Sequence, residues 1–91
     1  RSVSGETLTR ALKLAQDLSA VFGQDLKSAA LQLGKALEEP VEGISALRRV
    51  GVSFTASQRE TIKSLVETGQ VAEAQKVILD ALEKQVGGAG E

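Results

Sequence analysis

Five interruptions decide what this chain can fold into. Gly23, Pro40, Gly51, Gly69 and Gly87 cut an apolar pattern into pieces of roughly eleven to eighteen residues. Within each piece the apolar positions recur at i, i+3 and i+4, the period of a helix, and not at i+2. Proline cannot continue a helix from within, and glycine readily takes the left-handed backbone that ends one. The pattern predicts an all-α chain, a compact bundle of about five short helices with a flexible Gly-rich C-terminal tail. Residues 1–4 are expected to be disordered or frayed, 5–86 to form a single helical domain, and 87–91 to be a linker.

The first helix is expected from Gly5 to Phe22. Leu8, Ala11, Leu12, Ala15, Leu18 and Phe22 make its buried face, with Arg10, Lys13 and Asp17 opposite. Leu14 and Val21 widen the apolar stripe. Asp25 suits the N-cap of a second helix running to about Leu37, with Leu26, Ala29, Ala30, Leu33, Ala36 and Leu37 inward. Gly34 lies inside that helix at a cost of up to ~1 kcal/mol, which a close helix–helix approach would rationalise. Pro40 opens a third helix to Val50, with Val41, Ile44, Leu47 and Val50 inward. Glu38 and Glu39 complement the start of this helix, and Arg48 and Arg49 its end. Val52, Ser53 and Phe54 form a brief extended link.

Thr55 and Gln58 have the spacing of a capping box for a fourth helix, which runs to about Thr68 over Ile62, Leu65 and Val66. Phe54 should tuck beneath it. The fifth helix spans Val71 to about Gln85 and buries Val71, Ala74, Ile78, Leu79 and Leu82.

Composition then narrows the function. The 91 residues include no Cys, His, Met, Trp or Tyr, and only two Phe. Without cysteine there is no disulfide framework or thiolate metal site, and without histidine the usual proton shuttle is missing. Ser-His and Cys-His nucleophile pairs are excluded within the chain. Formal net charge is −1 and the charges are evenly mixed, so no half offers the field that nucleic acid demands. No apolar run approaches the ~20 residues of a membrane span. With no Met, either the start has been removed or the sequence is a piece of a longer protein; the second is the expectation.

Few groupings could carry chemistry. Glu38, Glu39 and Glu42 could bind a divalent cation or act as acid and base, yet they also suit a charged helix start. The fourth and fifth helices have the spacing of a helix-turn-helix, but the fifth would present net negative charge to phosphate. Arg48 and Arg49 could bind an anion or a partner; the simpler reading is dipole complementation plus one salt bridge. Leu14, Leu31 and Val77 lie off the main apolar faces. They are candidate partner contacts, together with Arg48 and Arg49, unless five-helix packing absorbs them. No catalytic, cofactor or metal residues are assigned.

One stretch carries more. Residues 29–82 contain an Ala-Leu-acidic-Pro junction at Leu37–Pro40, then Gly43 and Leu47. Gly51-Val52-Ser53-Phe54-Thr55 follows, then Gln58, Ile62, Leu65, Gly69, Ala74-Gln75, Ile78-Leu79 and Leu82. In order and spacing this resembles a segment of the tail tape-measure proteins of long-tailed phages and prophages. Glu39 and Gln70 stand where that pattern commonly has Asp, a better cap.

The resemblance implies a structural role in the virion tail, assembled in the bacterial host cytoplasm. Some tape-measure proteins carry muralytic domains elsewhere in the chain, but the missing His and Cys argue against an enzyme fragment here, and no cofactor is expected. The implied partners are other tail proteins (tube, tip or an assembly chaperone) and a second copy of the chain. The alternative is a helical adaptor or regulatory domain of a bacterial cytosolic protein.

Overall fold

A computed structural model describes residues 5–89. The expected frayed segment 1–4 and the last two residues of the tail lie outside the described residues. The chain folds into five helices: α1 (Gly5–Phe22), α2 (Leu26–Glu38), α3 (Pro40–Val50), α4 (Ala56–Glu67) and α5 (Val71–Val86). No strand occurs among the described residues. The radius of gyration, 11.9 Å, is that of a compact domain of this length.

Each helix starts and stops for a local reason. Gly23 takes φ +70° and donates its amide to Ser19 O, ending α1. The Asp25 carboxylate accepts from Ser28 N at 3.2 Å and caps α2. Only Glu39 separates α2 from α3, and Pro40 supplies the first residue of α3, where its missing N–H loses nothing. Gly51, at φ +121°, ends α3. There Val52 N donates to Leu47 O at 3.1 Å, which returns the chain across the helix end and drives Val52 into the core.

The capping box forms as the sequence predicts. Gln58 N donates to Thr55 Oγ1 at 3.0 Å, and Thr55 N donates to Gln58 Oε1 at 2.8 Å. Phe54 is buried just before it. By contrast, neither Glu39 nor Gln70 makes a side-chain cap bond at the start of α3 or α5.

α1 packs on α2 and α5, α2 also on α3, and α4 on α5 and α3. Leu and Ala fill the shared core, with Leu14, Leu18, Leu33, Leu37, Leu47, Ile78 and Leu82 at its centre. The register of α1 differs from the expectation. Leu8 and Leu12 are 52% and 55% exposed, while Leu14 and Asp17 are buried. The buried arc centres on Leu14 and Leu18, because α2 and α5 flank that side and leave the Leu8–Leu12 edge uncovered. Leu26 and Val41, expected inward, are also exposed: Leu26 opens α2, and Val41 borders a shallow groove beside Val66 and Val71.

The close approach expected at Gly34 occurs elsewhere. Nothing lies within 4 Å of a Cβ placed at Gly34. A Cβ at Gly43 would instead fall on the Ala36 Cα, 2.7 Å from Ala36 N and 2.9 Å from Ala36 Cβ. Gly43 lets α3 fold back directly onto the backbone of α2.

Three polar side chains finish the packing. Gln75, buried in α5, donates from Nε2 to Leu37 O at 2.8 Å and satisfies a carbonyl in the last turn of α2. Gln85 pairs with both backbone groups of Ser53, accepting its amide at 2.9 Å and donating to its carbonyl at 2.8 Å. It serves the extended link as a neighbouring strand would. Buried Asp17 accepts from Gly88 N at 3.1 Å. The described part of the glycine-rich stretch, 87–89, is therefore a turn tied to α1, and α5 reaches one residue further than expected, to buried Val86.

Candidate interaction surface

The positions that carry the family resemblance are distributed through the scaffold. Leu37, Pro40, Gly43, Leu47, Phe54, Ala74, Ile78 and Leu82 are buried. Thr55 and Gln58 form the cap, and Gly51 and Gly69 end helices. Gly51 is doubly constrained: beyond its left-handed backbone, a Cβ there would lie 2.6 Å from the Phe22 ring. Each of these residues has a folding role, and none of them converges with another on a reactive centre.

The candidate partner contacts separate into two groups. Leu14 is 1% exposed at the heart of the core, so its place among the contacts is corrected: α1 turns that edge toward its neighbours. Val77 is half-buried and packs against the core. Leu31 stands out at 65% exposed on the outer side of α2. Arg48 and Arg49 are both exposed, and neither joins an ion pair among the described residues; the expected salt bridge is absent there.

Two shallow grooves lie beside these residues. The first runs over Ala30, Leu31, Gly34 and Lys35 on the outside of α2 and ends at Glu38 and Glu39. The second, about 360 Å³, has an apolar floor of Pro40, Val41, Val66 and Val71 and an acidic rim of Glu38, Glu39 and Glu42. Among the described residues, no three acidic side chains are placed to hold a metal ion in common.

The outer face of α3 joins this acidic groove to the arginines. Val41, Glu42, Ser45, Arg48 and Arg49 are all exposed. Their spacing places them on one face, with Ser45 at its middle. Acid gathers at one end and base at the other. α5 is different: Asp80 and Glu83 on its exposed side are already engaged by Arg10 of α1, at 2.7 and 3.8 Å.

Sequence reasoning missed three features. Gln75 falls on the same wheel arc as Ala74, Ile78 and Leu82, so its burial was there to be read. Asp17 lies beside Leu14 and Leu18 on the wheel, and only the misplaced centre of α1 hid it. The acids and the arginines of α3 were each singled out, but not as two ends of one exposed face. Among the described residues no helix is long and apolar enough to cross a membrane. No known protein family, curated protein or solved structure matches the chain.

Proposed function

We propose that this chain is a structural and assembly domain of a phage or prophage tail tape-measure protein, contributing to tail assembly and length determination through protein–protein contacts. The observation that carries this reading is the string Gly51-Val52-Ser53-Phe54-Thr55, in register with Pro40 before it and Gln58, Gly69 and Ala74-Gln75 after it. What supports it further is the work those residues do. They are stops, caps and core contacts, as expected of a segment defined by how it folds.

A ruler needs extended helix, at about 1.5 Å per residue. Helices of 11 to 18 residues folded back on one another cannot span a tail. The domain's role is therefore docking: a compact unit that tail proteins contact, set in or beside the measuring part. It acts in the virion tail, assembled in the host cytoplasm.

Removing residues 5–89 in frame from the parent gene tests this. Loss of assembled tails or of infectivity is expected, seen by electron microscopy and plaque counts. Normal tails, shortened only in proportion to the deletion, would make the segment a spacer and end the docking role. A parent gene without tail-tube and tail-tip genes beside it would favour a helical adaptor of a cytosolic protein.

A further inference from the structure

We propose that the outer face of α3 is the contact of a two-fold dimer, in which α3 packs antiparallel against α3 of a second copy and Glu42 of each chain pairs with Arg49 of the other. The inference stands on the layout of this face and does not require the tail reading.

Three observations converge on it. First, Glu42 and Arg49 are exposed on the same face of α3, and neither is in an ion pair among the described residues. Turning a second α3 end for end about Ser45 brings acid over base twice, once on each side of the axis. Secondly, Ser45 is exposed at the midpoint of that face, and so small a side chain lets two helices approach closely. Val41, Ser45 and Arg48 follow the four-then-three spacing of a helix–helix seam, and Glu42 and Arg49 flank it on one side. Thirdly, the shallow groove beside Val41 has a lining that suits an arginine. Its apolar floor suits the aliphatic stem, and Glu38, Glu39 and Glu42 at its rim suit the guanidinium.

The helix dipole accounts for acid at one end of α3 and base at the other within one molecule. It does not account for an apolar trough between the acids. An isologous contact satisfies both ends of both helices at once and closes at two copies, the commonest symmetry of soluble oligomers. The helix is about 16 Å long, so the contact is small, and association is weak and dependent on concentration and salt.

Sedimentation velocity of the chain from about 10 µM to 1 mM, at low and at 1 M salt, reads this directly. A monomer–dimer equilibrium that stops at two copies and weakens with salt is expected. Glu42→Arg and Arg49→Glu should each weaken it about tenfold, with helicity by circular dichroism unchanged. An equimolar mixture of the two variants should regain wild-type strength, because both cross-axis pairs are then attractive. A wild-type chain monomeric throughout would overturn the proposal. So would growth beyond two copies, the mark of a head-to-tail contact, or a mixture no tighter than its components.

Discussion

The two ends of α3 are joined to the rest of the molecule by a different balance of means. At its start, one residue separates it from α2, no side chain caps it, and the turn is held mainly by shape: Gly43 on Ala36, with Pro40 and Leu37 buried around them and a single buried bond from Gln75 to the Leu37 carbonyl beside it. At its end, five residues lead to α4, and hydrogen bonds hold them beside the buried Val52 and Phe54. Gln85 pairs with Ser53, Thr55 pairs with Gln58, and Arg59 Nη1 donates to Phe54 O at 2.7 Å. A junction held by shape has no tolerance, since a buried backbone contact cannot swing aside. A junction held by exposed polar groups degrades gradually, because water replaces each lost partner.

That contrast can be broken from its strongest side first. Gly43→Ala should destabilise by about 3 kcal/mol or more in urea unfolding, since α2 and α3 must separate to admit one methyl group. A loss below about 1 kcal/mol would mean that the elbow opens cheaply. Gln75→Ala removes a long-range side-chain bond at the elbow and leaves a buried Leu37 carbonyl without that donor; about 2 kcal/mol is expected. The hydrogen-bonded junction should yield less. Thr55→Ala should cost about 1 kcal/mol, mostly as fraying of α4, seen as faster amide exchange at Gln58. The smallest effect has the opposite sign. Gly34→Ala, in the same helix as Ala36 but facing outward, should stabilise by about 0.5–1 kcal/mol, and a loss there would reveal a contact that the fold does not show.

The helices and their ends were legible in the sequence because they depend on near neighbours. Asp25, Thr55 and Gln58 act on groups three residues away, and Gly23 and Gly51 act on the turn they close. What was not legible depends on which helices flank which. Leu8 and Leu12 satisfy the same period as Ala11 and Ala15, and only the positions of α2 and α5 decide which pair is covered. Gly34 and Gly43 are likewise indistinguishable as letters; the elbow at Glu39 gives one a neighbour and the other open space.

The surface was legible in part. Arg48, Arg49 and Leu31 stood out and are exposed, whereas Leu14 was drawn into the core. The groove by Val41 forms only where α4 and α5 place Val66 and Val71 alongside it.

The joining of α1 to α5 sets a schedule for making this domain. Arg10 meets Asp80 and Asp17 meets Gly88, contacts that span about seventy residues and link the first helix to the last turn. On a ribosome adding roughly 5–20 residues per second, α1 waits several seconds for its second flank to emerge. Through that interval Leu14 and Leu18 lack α5. The exposed Leu8–Leu12 edge widens the sticky surface they present, so the nascent chain is more vulnerable to association than the finished one.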